Sequence, residues 1–175
     1  MKPVLATAAL CLTLFAGAPQ RAHAENPAES RQKIEAVIKA FGKAIVDKDK
    51  EGFMRLFLRE DITWVPVYTD ASVARYRASQ KDPAQPVPKV QGGTPRKFIE
   101  SIARNPEARS ETFDNVRIDT DGEMAQVLFD FSFMVGNYRS AWGKESWQMV
   151  RTENGWKIAG VIWSAEENPE PPPKK

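Results

Sequence analysis

Apolar and polar side chains alternate over residues 123–164, which read EMAQVLFDFSFMVGNYRSAWGKESWQMVRTENGWKIAGVIWS. A period of two predicts β-strands, because successive side chains of a strand point to opposite faces of the sheet. Gly136-Asn137 and Asn154-Gly155 interrupt the alternation with residues that favour tight hairpin turns. Residues 112–118 show the same period, and the turn residues Asp121-Gly122 follow them. The pattern therefore predicts a four-stranded antiparallel meander.

Two helices and a strand are expected at the start of the domain. Residues 27–47 follow a capping Asn26, begin with a proline and place apolar side chains three and four residues apart, which predicts a long amphipathic helix. Asp49 caps a shorter helical pattern, and the branched and aromatic residues 62–68 predict a strand. Because Pro66 has no N–H to donate, this strand is expected to be an edge strand or a bulged one.

The segment between this strand and the meander is mixed in character. Residues 69–93 contain several prolines and glycines and no sustained period, which predicts a long loop, either a lid or disordered, that allows a brief helical turn around residues 72–78. Thr94-Pro95 then begins a third helix, which ends at Asn105-Pro106. The charged, proline-rich residues 166–175 predict a disordered tail. Helices followed by a sheet indicate an α+β domain.

The first 24 residues have the pattern of a secretory signal peptide. Lys2 is followed by an uncharged run, and Ala22-His23-Ala24 places small residues at the positions that a signal peptidase requires. We therefore expect cleavage after Ala24 and a periplasmic or secreted protein. The apolar run is about fifteen residues long, shorter than the roughly 20 that cross a bilayer, so no membrane-spanning helix is expected.

Removal of this segment changes the chemistry available to the chain. It takes the single Cys, the single His and two of the 25 basic residues, so 23 basic and 23 acidic residues remain. Because the remaining chain has no His and no Cys, it cannot form a Ser-His-Asp triad, a thiolate nucleophile, a disulfide or a metal site built on those ligands. We expect no cofactor and no metal. Zero net charge also argues against a nucleic-acid partner.

The order of these elements resembles that of the nuclear transport factor 2-like superfamily, which includes SnoaL-like cyclases and ketosteroid isomerases. The resemblance covers residues 30–165 and rests on the helix pair over 41–57, the third-helix entry over 92–99, and Asn154-Gly155-Trp156-Lys157-Ile158 leading into Ile162-Trp163-Ser164. It implies a cone-shaped domain over residues 25–165, with three N-terminal helices packed on a curved antiparallel sheet and a mainly apolar pocket at the wide end. It does not imply one function, because the superfamily contains enzymes, ligand-binding proteins and interaction modules.

The strand over 123–135 has one apolar row and one mixed row of side chains. The apolar row is Ala125, Val127, Phe129, Phe131 and Phe133, and the mixed row is Met124, Gln126, Leu128, Asp130, Ser132 and Met134. If the strand resembles that of the ketosteroid isomerases, the mixed row points into the cone and the phenylalanines form an outer face where a homodimer assembles. The alternative is the opposite parity, with the phenylalanines in the core.

Asp130 is the candidate catalytic residue of the mixed row. A carboxylate among apolar neighbours has a raised pKa, as a general acid or base needs. The alternative is a solvent-facing aspartate, or one paired with Arg139 or Arg151. The isomerases carry two acids, one in the first strand and one in the penultimate strand near Trp147 here, and the resemblance places neither acid in this sequence.

Aromatic residues are the candidates for ligand binding. Trp64, Trp147 and Trp163 are expected to point inward, and Leu128, Tyr138 and Arg151 complete the set. Such walls suit a flat apolar or cationic ligand, although tryptophans in a sheet-rich domain also serve as core.

Three functions remain open on the sequence. The leading hypothesis is an exported, cofactor-free domain that binds a small apolar or aromatic molecule and forms a homodimer. The second is a cofactor-independent isomerase, dehydratase or cyclase that uses Asp130. The third is a periplasmic protein-interaction module whose cone is filled by its own side chains, without a cavity beyond about 300 Å³.

Overall fold

The computed structural model describes residues 26–82 and 84–172 of the chain. The signal peptide predicted for residues 1–24 lies outside these ranges. Four helices are present: α1 Pro27–Asp47, α2 Lys50–Met54, α3 Asp70–Ser79 and α4 Pro95–Arg104. The strands are β1 Thr63–Tyr68, β2 Arg109–Thr120, β3 Met124–Val135, β4 Tyr138–Thr152 and β5 Gly155–Glu167. Among the described helices none is long and apolar enough to cross a membrane.

The five strands form one sheet in the order β1-β5-β4-β3-β2. Strands β2 to β5 pair as the predicted antiparallel meander. Strand β1 pairs with β5 in parallel, with Pro66 opposite Trp163, so the sheet is mixed rather than wholly antiparallel. The edge position predicted from Pro66 is confirmed, because β1 is the last strand of the sheet. Helices packed on a curved sheet make the domain α+β.

Helix α1 covers the inner face of the sheet. The Asn26 side chain caps it by accepting a hydrogen bond from the Ala28 N–H at 2.9 Å. Its apolar side is buried at Ile34, Ile38, Phe41 and Ile45. Burial of each such side chain contributes about 1.5–3 kcal/mol, so the amphipathic pattern of the sequence positions this helix.

Helix α3 replaces most of the first half of the predicted loop. Thr69 caps the helix by accepting a hydrogen bond from the Ser72 N–H at 3.1 Å. Ser72 is buried, and its hydroxyl accepts a hydrogen bond from the Glu167 N–H at 2.9 Å. Arg75 forms an ion pair with Glu166. Helix α3 is held against β5 by polar contacts and has no apolar stripe. For that reason hydrophobic periodicity does not predict it.

The remainder of the predicted loop runs beside β1. The Tyr68 N–H donates to the Lys89 carbonyl at 2.8 Å, and the Gln91 N–H donates to the Pro66 carbonyl at 3.2 Å. These bonds satisfy backbone groups at the outer side of β1, where the sheet has no further strand. The segment therefore protects the sheet edge and ends at α4.

The preferred parity of β3 is wrong. Ala125, Val127, Phe129 and Phe131 are each 5% exposed or less and face the helices. The mixed row, which contains Leu128 and Asp130, therefore lies on the outer face. Burial of the phenylalanines beneath α1 removes far more apolar area from water than burial of the mixed row, and this decides the parity.

Strand β5 is longer than the sequence predicts. It runs to Glu167, and the Asn168 N–H donates to the Ser140 carbonyl at 2.9 Å. The Tyr138 hydroxyl donates to the Glu170 carbonyl at 2.7 Å. The tail predicted to start at residue 166 therefore begins later, after β5 ends at Glu167.

Candidate functional site

A cavity of about 220 Å³ lies between the helices and the inner face of the sheet. We call it the cone pocket. Seven aromatic side chains line it: Phe41, Trp64, Tyr68, Phe98, Phe131, Phe133 and Trp163. Three glutamates also line it, Glu111 from β2, Glu145 from β4 and Glu167 from β5. The pocket therefore combines apolar walls with carboxyl groups.

The aromatic walls are formed by rings that pack against one another. The ring centroid of Trp64 lies 5.4 Å from that of Phe98 and 5.2 Å from that of Trp163. The Phe98 centroid lies 6.0 Å from that of Phe133. Such tilted and edge-on contacts hold the rings in defined positions, so the walls are set before a ligand enters.

Glu145 is a buried carboxyl in the middle of β4. It is 5% exposed, and its carboxylate accepts a hydrogen bond from the Trp147 indole N–H. Burial raises the pKa of Glu145 to about 7, while the indole N–H opposes that rise. A carboxyl with this pKa exchanges a proton readily near neutral pH, as general acid–base catalysis requires.

Glu111 is the second inward carboxyl, and its side chain is half-buried. Its Oε1 atom is closed off from solvent and has no hydrogen-bond partner among the described residues. Burial raises the pKa of Glu111 well above its ordinary range, and the nearby charge of Glu145 raises it further. The charge of Glu145 therefore disfavours ionisation of Glu111.

Glu167 lies at the α3 side of the pocket. Burial, followed by the interaction with Glu167, raises the pKa of Tyr76, and burial and the Glu167 charge raise that of Tyr68. The Tyr68 and Tyr76 ring centroids are 5.6 Å apart. Strand β1 and helix α3 thus each place one phenol near the third carboxyl group.

Comparisons with known proteins identify the architecture. No protein-family model matches the chain, and no curated protein matches it by sequence. Solved structures do match. One is a nuclear transport factor 2-like superfamily protein from Salmonella enterica serovar Typhimurium, with a TM-score of 0.57 and 17% identity over 86% of this chain and 100% of that chain.

Another is a nuclear transport factor 2-like protein of unknown function from Shewanella baltica. Its TM-score is 0.57 at 15% identity, over 82% of this chain and 99% of that chain. A protein of the same description from Pseudomonas putida gives a TM-score of 0.57 at 14% identity, over 82% of this chain and 91% of that chain. The chain has the nuclear transport factor 2-like fold. At these identities the likeness establishes the fold, and function must be argued from the site.

Within this nuclear transport factor 2-like fold, the three predicted inward tryptophans do face the interior. Trp64 and Trp163 line the cone pocket. Trp147 is fully buried, with its ring centroid 4.9 Å from that of Phe41. It is not among the residues that line the pocket, and its contribution there is the hydrogen bond to Glu145.

Asp130 lies on the opposite face of the sheet from the cone pocket. Its carboxylate is paired with Lys144, and the Asn115 side-chain amide donates to it at 2.7 Å. Those hydrogen bonds lower the pKa of Asp130, so the predicted upward shift is wrong. The ion pair anticipated as the alternative is present, with Lys144 in place of Arg139 or Arg151. Leu128 shares this outer face because it lies two residues before Asp130.

Tyr138 and Arg151 also lie away from the cone pocket. Tyr138 lines an open groove of about 640 Å³ at the end of the sheet, together with Arg109. Arg151 donates to the Gly122 carbonyl at 2.8 Å and pairs with Glu123. Of the six residues predicted to contact a ligand, Trp64 and Trp163 line the pocket and Trp147 lies behind it. The other three lie away from the pocket.

The three glutamates of the cone pocket are not predicted from the sequence. Glu145 precedes Trp147 by two residues, so strand alternation places both on one face, and the penultimate strand does carry an inward acid. Glu111 precedes the predicted start of β2, and Glu167 fell in the predicted tail. Phe131 and Phe133 were assigned to the wrong face. Among the described residues no group of three or more His, Cys, Asp or Glu could hold a metal ion.

Proposed function

We propose that the protein binds a small, mainly aromatic organic molecule in the cone pocket. The observation that carries this proposal is the cavity of about 220 Å³ with seven aromatic side chains on its walls. Liquid water occupies about 30 Å³ per molecule, so the space holds roughly seven waters or one ring with a short substituent. The pocket is small for a drug-sized ligand, and we therefore expect a monocyclic one.

Filling the pocket tests this function. Ala141 lines the cone pocket, and Ala141→Leu adds apolar volume inside it. We expect 2-phenylethanol to quench tryptophan fluorescence saturably in the wild type and at least about tenfold more weakly in this variant. Ala36→Leu, at an exposed position of α1, is the control and should bind normally. Equal affinity in all three proteins, or no binding to any, contradicts the proposal.

The interaction-module hypothesis is supported less well. The cavity is smaller than about 300 Å³, which by itself favours a cone filled by its own side chains. Enclosing the carboxyl groups of Glu145 and Glu111, however, costs free energy unless each is paired, so packing for stability alone does not account for them. Glu111 keeps a carboxyl oxygen without a partner among the described residues. These groups favour a ligand.

Proton-transfer catalysis is the second candidate function, with Glu145 in the role assigned by sequence to Asp130. Glu145 has a pKa of about 7 and lines the pocket. In its protonated form, the Glu111 carboxyl supplies a hydrogen-bond donor for a carbonyl oxygen. In this reaction the Glu145 carboxylate removes a proton from carbon next to a carbonyl, the electron pair moves to the oxygen, and the proton then returns.

Deuterium exchange tests this second function without knowledge of the substrate. Phenylacetone in D₂O should exchange its benzylic C–H protons faster with the wild type than with Glu145→Gln. Asp130→Asn should retain the wild-type rate, because Asp130 lies on the outer face. Equal rates in the wild type and Glu145→Gln remove Glu145 as the base and leave the binding function standing.

Export remains a proposal that rests on the sequence. Expression of the full chain in a bacterium, followed by osmotic fractionation and intact-mass measurement, should recover a periplasmic protein that begins at Glu25.

A homodimer is expected from the sequence because the phenylalanine row of β3 is predicted on the outer face. That row lies in the core, so it does not support a dimer. Met124 and Ile162, each 50% exposed, remain on the outer face, and sedimentation velocity measures whether they join two copies.

A further inference from the structure

We propose that the cone pocket is selective for an organic cation, a primary ammonium group attached to a single ring. This inference rests on the proposed binding function and names the class of ligand. It follows from three features of the pocket: the sign of its polar groups, the faces of its aromatic rings and the unpartnered oxygen of Glu111.

The polar side chains that line the pocket are acidic or phenolic. Glu111, Glu145 and Glu167 contribute three carboxyls, and no Lys, Arg or His is among the described residues that line the cavity. The nearby arginines are engaged or lie outside it. Arg75 is paired with Glu166, and Arg109 lines the open groove instead. A cation entering the pocket therefore meets attractive charge, whereas an anion meets repulsion in a poorly solvated site.

The rings add to the same preference. The face of an aromatic ring carries partial negative charge, so an ammonium group within about 6 Å of a tryptophan face is stabilised by it. Trp64 and Trp163 both line the cavity with their ring centroids 5.2 Å apart. The ring of the ligand packs on the remaining aromatic walls, and its ammonium group then reaches the carboxyls.

The unpartnered Oε1 atom of Glu111 points to a donor on the ligand. A buried acceptor without a hydrogen bond costs free energy, and a donor supplied by the ligand offsets that cost. A primary ammonium group carries three N–H donors, enough for Glu111 and Glu145 together. A metal ion is a poorer occupant, because the described carboxyls do not form a metal-binding group and the other walls are apolar.

Three probes that share a phenyl ring and differ in charge test the selectivity. They are 2-phenylethylammonium, 2-phenylethanol and phenylacetate, titrated at pH 8 by tryptophan fluorescence and by calorimetry. We expect the ammonium to bind at least about tenfold more tightly than the alcohol, and phenylacetate to bind most weakly. If the alcohol binds as well as the ammonium, the cation inference fails while the binding function stands. If none of the probes binds, both fail.

The pH dependence provides a second readout. Ammonium affinity should rise as pH increases from 5.5 to 8, because ionised Glu145 binds the cation better, whereas alcohol affinity should not rise. Other groups facing Glu145 are the carboxyls of Glu111 and Glu167 and the phenol of Tyr68, while α1 and α4 present the uncharged Phe41 and Phe98. Proton release on ammonium binding, measured by calorimetry in two buffers, should accompany this rise. A flat profile without proton release overturns the inference.

Two variants locate the selectivity. Glu145→Gln and Glu111→Gln keep the shape of each side chain and remove its ionisable carboxyl group. Each should reduce the ratio of ammonium to alcohol affinity by about fivefold or more. Asp130→Asn, which removes a carboxylate from the outer face, should leave the ratio unchanged. Circular dichroism confirms folding, and an unchanged ratio in both folded pocket variants overturns the inference.

Discussion

Glu145 has an unusual pKa because of its position on a strand. Alternation along β4 places it on the same inner face as Trp147, where the sheet and α1 exclude water. The indole N–H keeps the carboxylate partly stabilised, so its pKa rises to about 7 rather than further. Asp130, on the neighbouring strand, faces outward to Lys144 and has a lowered pKa. Two acids of similar chemistry thus differ in their protonation because they face opposite sides of one sheet.

Glu145→Gln should change how stability depends on pH. Between its ordinary pKa near 4.5 and its folded pKa of about 7, the folded protein holds a proton that the unfolded chain has released. The contribution to stability therefore falls as pH rises through this window and is constant above it. Relative to the wild type, the variant should gain about 1–3 kcal/mol between pH 4.5 and 8.

Urea unfolding at pH 4.5, 6 and 8 measures this effect. Glu153→Gln, at an exposed turn, is the matched control and should follow the wild-type profile. Parallel profiles for the wild type and Glu145→Gln would show that the buried carboxyl does not carry a raised pKa.

The elements of the domain are held by two kinds of contact. Helices α1 and α4 bury apolar faces and follow the helical period of the sequence, with Ile99 and Ile102 of α4 fully enclosed. Helix α3 is held by Thr69, Ser72 and Arg75 against the end of β5. The first kind is visible in the hydrophobic pattern, and the second depends on a partner strand that is distant in sequence.

Thr69→Ala tests how α3 is held. The substitution removes the hydroxyl that caps α3 and also hydrogen bonds to Glu166. We expect a loss of about 1 kcal/mol, expressed as local opening of α3. Hydrogen exchange should show faster exchange over residues 72–79, and unchanged exchange in α4. Thr94→Ala, which removes the cap of α4, should produce the opposite pattern.

The close approach of β4 and β5 provides a prediction at Gly143. A Cβ atom at this position would lie 1.9 Å from the Ser164 carbonyl oxygen. Gly143→Ala should therefore force the strands apart and cost about 1–3 kcal/mol or more of unfolding free energy. Gly92→Ala is the control, because a Cβ there meets no atom within 4 Å. Thermal unfolding should separate the two variants, and equal melting temperatures would contradict the expected clash.

The whole molecule combines surface carboxyls and buried carboxyls with opposite pH behaviour. Hydrogen bonds or ion pairs lower the pKa values of Glu60, Asp121, Asp130 and Glu166, so their contribution to stability is lost as pH falls below about 4. Burial raises those of Glu111 and Glu145, so their contribution is lost as pH rises above about 4.5.

These opposed trends predict a maximum of stability near pH 5 for the wild type. Chemical denaturation from pH 3 to 8 should show a decline on both sides of the maximum. Glu111→Gln should reduce the alkaline decline and leave the acidic one in place. A stability that rises steadily from pH 5 to pH 8 would contradict this balance.

Interactions between residues close in sequence determine most of the helices and strands of this protein. Capping residues and apolar spacing set α1 and α4, and turn residues with strict alternation set the meander, because these signals act between residues close in sequence. The edge position of β1 followed in the same way from the missing N–H of Pro66. The inward direction of Trp64 and Trp163 was also predicted correctly.

Tertiary structure decided the face on which each strand row lies, and with it the candidate site. Alternation divides β3 into two rows, but the choice between them depends on which row α1 covers, and α1 lies far away in sequence. The same packing buried Glu145, enclosed one carboxyl oxygen of Glu111, placed Asp130 on the outer face and packed α3 against β5. These outcomes depend on burial and long-range partners, which the order of residues along a strand does not specify.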